Sequence, residues 1–273
     1  MIADADVMQM FRSISSTPIN FTPAQIAGRP HQIFRGMPEG LWQDAHPGGC
    51  TRHMEVFKRF GVIPKYCFEC YKVLIEPRTV VELFKLLVLF ENMALPLDNS
   101  RKCMVESRSD CSGTYKGFIY CRGVEEGNEV RKIARNLVTV GISPQVPVTL
   151  KRGCSEYAQT HPSYAQIKPG IAMMQYKKDW QIHEDFFDKN FVFRPGVPLE
   201  AKLEANADGM ASYTLWEIFC MQYWLRYAAT IGDTSYLAIA GMTLPPVPGL
   251  KRPPFRQVAP LKKDGWSNSK HKK

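Results

Sequence analysis

The chain has 273 residues, of which 45% are hydrophobic and 22% are charged. This composition is that of an ordinary globular protein, and it excludes a disordered chain, a collagen and a coiled coil. The net charge of +9 arises mainly in residues 251–273, which hold eight Lys and Arg against one Asp, so residues 1–250 lack the basic surface of a typical nucleic-acid-binding domain.

The N-terminal part of the chain contains few regular patterns. Residues 1–50 carry five prolines and are predicted to form an irregular N-terminal extension. Residues 51–60 predict a short helix that ends at Gly61. Residues 66–76 alternate and are rich in aromatic and β-branched side chains, which predicts a strand. Residues 80–93 predict a helix that ends before Pro96.

The middle of the chain completes a regular series of elements. Residues 101–108 and 115–122 predict two strands, residues 125–138 an amphipathic helix, and residues 146–152 a last strand. This order predicts an α+β fold with a ferredoxin-like βαββαβ core over residues 51–155. Right-handed crossovers place the first strand between the third and the fourth, with the second strand at the edge beside the third.

The C-terminal part is predicted to surround this core. Residues 156–243 predict a mostly helical extension packed on the core, and residues 244–273 a proline-rich strap followed by a disordered basic tail. Residues 251–273 are a candidate contact for nucleic acid or another polyanion. The most apolar stretches are too short or too charged to predict a membrane span. Eight cysteines without a secretion signal predict reduced thiols in a cytoplasmic protein.

Four cysteines fall at corresponding ends of the four predicted core strands. In the predicted topology, the starts of strands one and two lie at the same end of the sheet as the ends of strands three and four. Alternation along each strand directs all four thiols to the helix-covered face. We therefore expect one group of thiols, whereas Cys111 and Cys220 lie elsewhere. The four members are Cys67, Cys103, Cys121 and Cys154.

The cysteine spacing predicts a metal site. Cys50-x₂-His53-x₁₃-Cys67-x₂-Cys70 has the form of a four-ligand zinc site. Thiolates bind both Zn²⁺ and iron–sulfur clusters, so the sequence leaves either cofactor open. Two points oppose the site: the second pair lies in a predicted strand rather than a turn, and buried cysteine often packs as a small hydrophobe. The expected ligands are Cys67, Cys70, Cys121 and Cys154, with Cys103, Cys50 and His53 as substitutes.

Positive charges and carboxylates near these elements suggest a second hypothesis. Lys151 and Arg152 lie just before Cys154, where such cations lower the pKa of a thiol or bind an anionic cofactor. A metal-free enzyme with an activated cysteine is therefore an alternative function. The densest group of histidine and carboxylates is residues 183–185 with Asp188. Such a group is typical of a hard-metal site or an acid–base pair, but it is interpreted as a solvated loop or helix start.

A short motif suggests a third hypothesis. Residues 116–120, Lys-Gly-Phe-Ile-Tyr, are similar to the first half of the RNP1 motif of RNA-recognition modules, which share the βαββαβ order. The resemblance implies a module that binds single-stranded nucleic acid, although Cys121 and Gly123 depart from the motif. The competing interpretation is that the aromatic side chains pack beneath the C-terminal helices. The implied binding residues are Lys116, Phe118, Tyr120 and Arg122.

Overall fold

The computed structural model describes residues 1–16, 31–35, 49–108, 111–167, 172–191 and 213–239. The strands in these residues are β1 (Gln32–Arg35), β2 (Cys70–Ile75), β3 (Arg101–Val105), β4 (Tyr115–Arg122) and β5 (Val148–Arg152). The helices are α1 (Asp4–Ser16), α2 (Gly49–Phe60), α3 (Val80–Asn92), α4 (Gly123–Gly141), α5 (Ser155–Thr160), α6 (Gln181–Asn190), α7 (Leu215–Ile231) and α8 (Ser235–Ile239). Short 3₁₀ turns lie at Lys65–Glu69, Pro162–Ala165 and Lys178–Trp180.

The strands form one antiparallel sheet in the order β1-β3-β4-β2-β5. The predicted α+β class is therefore confirmed. The neighbours of β2, β4 and β5 are those predicted, but β1 pairs with β3 along the side that was predicted to be an edge. The ferredoxin-like topology is not confirmed, because a five-stranded order is not that of a ferredoxin-like sheet.

Helices α3 and α4 cover one face of the sheet. Side chains alternate along each strand, and the set that faces these helices is apolar. Val73, Val105 and Ile119 are fully buried in this main core. Helix α3 lies so close to β4 that a Cβ atom at Gly117 would collide with Leu86. Helix α7 contacts β1, α1 and α3 and completes the core.

The prediction of an irregular N-terminal extension is wrong for residues 4–16 and 32–35. Helix α1 buries one apolar face with helical spacing, and β1 buries Ile33 in the main core. The prolines that suggested irregular structure begin only after α1. The buried residues of that face are Val7, Met10, Phe11 and Ile14.

The long C-terminal helix has both of its ends defined by local sequence. Thr214 and Glu217 form a capping box before α7, and Gly232 ends it with a φ of 82°. No helix in the described ranges is long and apolar enough to cross a membrane. The predicted strap and basic tail, residues 244–273, lie outside the described residues and stay predictions.

Candidate functional site

A small cavity lies where the start of β2 meets the end of β5. Its volume is ≈ 10 Å³, about the space that a single water molecule needs. Four cysteines reach it from three separate segments: the first turn of α2, the 3₁₀ turn with the start of β2, and the connection from β5 to α5. The lining residues are Cys50, His53, Tyr66, Cys67, Cys70, Gly153, Cys154 and Tyr157.

The turn before β2 brings two of these cysteines together. Residues 66–69 were predicted to be extended, but Lys65–Glu69 forms a 3₁₀ turn after Pro64. The N–H of Cys67 donates to the carbonyl of Pro64 at 2.9 Å. In an extended strand, Cys67 and Cys70 would point to opposite faces, whereas residues three apart align in a 3₁₀ turn. The objection that both cysteines lie in a strand therefore does not hold, since only Cys70, the first residue of β2, does.

Gly153 holds Cys154 against this turn. It has a φ of +50°, and its N–H donates to the carbonyl of Cys70 at 2.8 Å. The hydroxyl of Tyr164 donates to the carbonyl of Cys67 at 2.5 Å. A Cβ atom at position 153 would collide with the Tyr164 hydroxyl. Only glycine allows both the backbone conformation and this close approach.

Replacing Gly153 by alanine is expected to lower the free energy of unfolding by about 2–4 kcal/mol, because left-handed strain and a steric clash add. The matched control is Gly232→Ala, since Gly232 also has a positive φ of 82° but no atom within 4 Å of an added Cβ. The control should lose only the contribution of left-handed backbone strain, about 1–2 kcal/mol of unfolding free energy. Urea denaturation of both variants measures the difference. Equal losses would show that the contact with Tyr164 imposes no constraint.

A buried ion pair joins α2 to α6, and its carboxylate also binds the 3₁₀ turn before β2. The Arg52 guanidinium donates to Glu184 at 2.9 Å and to Asp188 at 2.6 and 2.7 Å. Glu184 also accepts from the backbone N–H of Lys65 at 2.8 Å and from the Tyr176 hydroxyl at 2.9 Å. The Glu184 carboxylate therefore fixes two cysteine-bearing segments relative to each other.

The interpretation of residues 183–185 as a solvated helix start is wrong for Glu184. This residue is only 2% exposed and lies inside α6. The spacing of Glu184 and Asp188 places both carboxylates on one helix face. No signal in the sequence, however, indicates that Arg52 meets them. Arg52 is thus a site residue that sequence reasoning missed, whereas Glu184 was noted but wrongly interpreted as solvated.

Burial determines the protonation of two cavity thiols, those of Cys67 and Cys70. Desolvation raises the pKa of Cys70 to about 12 and raises that of Cys67 well above its usual value. The hydroxyl of Tyr157 lies 3.3 Å from the Cys67 sulfur. A thiol whose pKa is raised is protonated near neutral pH and is a poor nucleophile. These two cysteines are therefore not activated in the manner that the metal-free enzyme hypothesis requires.

Lys72 places a positive charge beside the cavity. Its Nζ donates to the Cys154 sulfur at 3.2 Å, and the residue is 8% exposed. Burial lowers the pKa of this amine, but Cys154 and Cys70 raise it well above its usual value. Lys72 therefore remains an ammonium that stabilises negative charge on sulfur. The sequence analysis did not single out this residue.

Two of the predicted ligands lie in the main core instead. Cys121 lies opposite Tyr71, and Cys103 lies opposite Gly117, four residues from Cys121 along β4. At about 3.3 Å per residue, Cys103 is about 13 Å from Cys121 along the sheet. Cys121 and Cys103 are 1% and 0% exposed and pack in the helix-covered core. The expected arrangement of one thiol per strand at one end is therefore wrong.

The predicted anion-binding pair, Lys151 and Arg152, points to two different faces. Arg152 donates to the carbonyls of Phe68 at 2.9 and 3.1 Å and of Met174 at 2.9 Å, so it stabilises the 3₁₀ turn. Lys151 lies directly opposite Lys72 and donates to the Ser155 hydroxyl at 2.8 Å. Lys151 therefore remains a candidate for anion binding, whereas the Arg152 donors contact protein carbonyls.

The RNP1-like residues share the sheet face opposite α3 and α4. Phe118 is 9% exposed and Lys116 is 7% exposed, whereas Tyr120 is half-buried and Arg122 is exposed. Bases stack on aromatic rings that are open to solvent. Phe118 does not present such a ring. The nucleic-acid role of these residues stays a prediction.

Within the described part of the chain, no three or more His, Cys, Asp or Glu side chains have their donor atoms arranged to hold a metal ion. The cavity side chains must therefore turn towards a common centre before they bind one. No family model, curated protein or solved structure matches this chain. The function of the protein is therefore inferred from its own residues alone.

Proposed function

We propose that the protein binds one Zn²⁺ ion at the cavity through Cys50, Cys67, Cys70 and Cys154, with His53 as a substitute ligand. The observation that supports this proposal is the convergence of four cysteines from three separate segments on one space of ≈ 10 Å³. Cys67 and Cys154 also belong to an apolar cluster with Phe68 and Tyr157, so the convergence of the four thiols, and not their surroundings, carries the proposal. A zinc ion bound by four thiolates has no open coordination position, and such sites are typical of structural zinc.

The spacing of the cavity residues favours zinc over an iron–sulfur cluster. Cys50-x₂-His53-x₁₃-Cys67-x₂-Cys70 has the form of a four-ligand zinc site, and all four of these residues line the cavity. An iron–sulfur cluster contains several iron and sulfide ions and needs a wider cage of cysteines. Of the four thiols predicted to form a row across the sheet, Cys103 and Cys121 lie in the main core, whereas Cys67 and Cys154 line the cavity. We therefore propose zinc rather than iron.

The charge around the cavity also supports thiolate ligands. Four thiolates on one Zn²⁺ form a negatively charged centre. Lys72, at 3.2 Å from the Cys154 sulfur, supplies a buried positive charge that offsets it. Such hydrogen bonds to ligand atoms are a regular part of metal sites. The ion would join α2, the 3₁₀ turn and the β5–α5 connection, so its role is to stabilise the fold.

Metal analysis of the protein tests this proposal. We expect about one zinc per chain after purification under reducing conditions, and release of that zinc by a mercurial that blocks thiols. Cobalt substitution should give the absorption of tetrahedral cobalt–thiolate. Less than about a tenth of a zinc per chain, with no uptake of added Zn²⁺, would exclude the site. A brown protein with stoichiometric iron would instead support the cluster.

We also infer that β2, α3, β3, β4, α4 and β5 form a ferredoxin-like unit to which β1 is added. Support comes from the order β3-β4-β2-β5 within the larger sheet and from the two helices on one face. The nucleic-acid and activated-cysteine hypotheses are kept as alternatives. Burial of Phe118 does not favour the first, and the raised pKa values of Cys67 and Cys70 do not favour the second.

A further inference from the structure

The four cavity cysteines differ in how far solvent reaches them. Cys50 is exposed and Cys154 is partly exposed, whereas Cys67 and Cys70 are buried. A small solute therefore meets Cys50 and Cys154 first. Oxidants react with accessible thiols, and a disulfide follows when a second thiol lies within reach.

The pairing of β2 with β5 brings Cys154 next to Cys70. The β2–β5 ladder continues beyond the two strands, since the N–H of Gly153 donates to the carbonyl of Cys70 at 2.8 Å. Opposed residues of antiparallel strands have Cα atoms about 4.5–5.5 Å apart, and disulfides span about 4.4–6.8 Å between Cα atoms. Because Gly153 has a φ of +50°, the alternation of side chains ends there, and Cys154 lines the same cavity as Cys70. The two cysteines are therefore placed to form a disulfide.

The other two cavity cysteines are less suited to pair with Cys154. The Cys67 sulfur lies 3.3 Å from the Tyr157 hydroxyl, and the Cys67 carbonyl accepts from the Tyr164 hydroxyl at 2.5 Å. Cys50 belongs to α2, a separate element, whereas β2 and β5 are hydrogen-bonded neighbours. Cys70 is therefore the expected partner of Cys154.

Lys72 gives Cys154 the surroundings of a reactive cysteine. Its Nζ donates to the Cys154 sulfur at 3.2 Å. Accessible and electropositive surroundings are typical of cysteines that react with oxidants, because a cation stabilises the charge of the attacking sulfur. Cys111 provides a comparison within the same chain, since it is also partly exposed but lies in the connection between β3 and β4.

We propose that Cys154 is a site of reversible oxidation, which reacts with hydrogen peroxide and then forms a disulfide with Cys70. In the first step, the Cys154 sulfur attacks one peroxide oxygen, the O–O bond breaks, and a sulfenic acid and hydroxide form. In the second step, the Cys70 sulfur attacks the sulfenic sulfur. The S–S bond forms, the S–O bond breaks, and the hydroxyl leaves as water with the Cys70 proton. The two thiols lose two electrons, and peroxide gains them.

This oxidation opposes zinc binding, a consequence that rests on the proposed function. The disulfide removes two of the four proposed thiolate ligands. Bound zinc, in turn, holds the same sulfurs and should protect them from peroxide. The cavity therefore has two exclusive states: a reduced state that binds zinc and an oxidised state that does not.

Peptide mass spectrometry of the full-length parent protein tests the oxidation. The protein is reduced, freed of metal with a chelator and exposed to hydrogen peroxide. We expect two peptides linked through Cys154 and Cys70, which dithiothreitol separates. In the folded chain Cys154 should react at least about tenfold faster than Cys111, and in urea this difference should disappear. The proposal is overturned by equal rates in the folded chain, by a difference that persists in urea, or by the absence of a disulfide between Cys154 and Cys70.

Variants identify the role of each residue. Cys70→Ser should leave Cys154 as a sulfenic acid that dimedone traps, and Cys154→Ser should give neither product. Lys72→Met should slow the oxidation of Cys154 at least about tenfold. The control is Lys132→Met, which changes an exposed lysine of α4 and should react as the parent does. Equal rates in Lys72→Met and Lys132→Met would show that Lys72 does not activate Cys154.

Zinc uptake is measured on the same samples. The oxidised protein should take up less than about a tenth of a zinc per chain and should regain uptake after reduction. Full uptake by the disulfide form would contradict the two exclusive states. If the reduced protein binds no zinc, the proposed function fails, whereas the linked peptides still decide whether Cys154 is oxidised.

Discussion

Replacing Arg52 by methionine is expected to lower the free energy of unfolding by about 3–5 kcal/mol, the usual loss when one partner of a buried ion pair is removed. The side chains of Arg52 and Glu184 are 1% and 3% exposed. The substitution leaves the Glu184 carboxylate buried without its guanidinium. Because Glu184 also holds the backbone of Lys65, the cysteine-bearing 3₁₀ turn should loosen as well. Urea denaturation of zinc-free protein measures the first effect.

Lys58→Met is the matched control, since Lys58 lies on the same helix but its side chain is 62% exposed. Its ion pair with Glu55 is a surface pair, so the change should be below about 0.5 kcal/mol. Zinc affinity of Arg52→Met should fall by about 10–100-fold, as for other residues that orient ligands. A loss of stability below about 1 kcal/mol in Arg52→Met would show that the pair does not hold α2 and α6 together.

Replacing Cys67 by alanine is expected to weaken zinc binding by more than about 100-fold, because changes outside the ligand shell alone cause about 10–100-fold. The reason is the loss of one of the four thiolates that are proposed to bind the ion. Competition with a chromophoric chelator measures the affinity. Cys154→Ala should have a comparable effect, since Cys154 lines the same cavity from the β5–α5 connection.

The Cys121→Ala variant distinguishes two ligand sets. The set predicted from spacing and strand parity includes Cys121, whereas the set proposed from the structure does not. Cys121 is buried in the main core, so its loss should reduce stability and leave zinc stoichiometry unchanged. Comparison of Cys50→Ala with His53→Ala identifies the fourth ligand. If Cys121→Ala loses zinc while Cys67→Ala keeps it, the cavity is not the metal site.

Much of the sheet was predictable from local patterns. Strand β4 has the predicted bounds, and α3 and α4 lie where periodicity placed them. The neighbours of β2, β4 and β5 follow from the handedness of crossovers. Strand β1 was missed because four residues are too few to show an alternating pattern.

The cavity was only partly predictable. The spacing of Cys50, Cys67 and Cys70 indicated a common site, and the predicted topology placed Cys154 at the same end of the sheet. The parity argument placed Cys121 on the helix-covered face, where it lies, but it placed Cys67 there as well, because it assumed an extended chain through residue 67. The 3₁₀ turn rotates Cys67 towards Cys70, and both then lie apart from the thiol of Cys121.

The amino-acid sequence by itself determined β2 to β5, α3 and α4 and their handed order, because periodicity, capping and crossover chirality act over a few residues or one connection. Only the tertiary structure decided which charges and thiols meet. Arg52 and Glu184 are 132 positions apart, and the cavity cysteines come from three separate segments. Such pairs depend on how distant elements pack, and no local pattern encodes that packing.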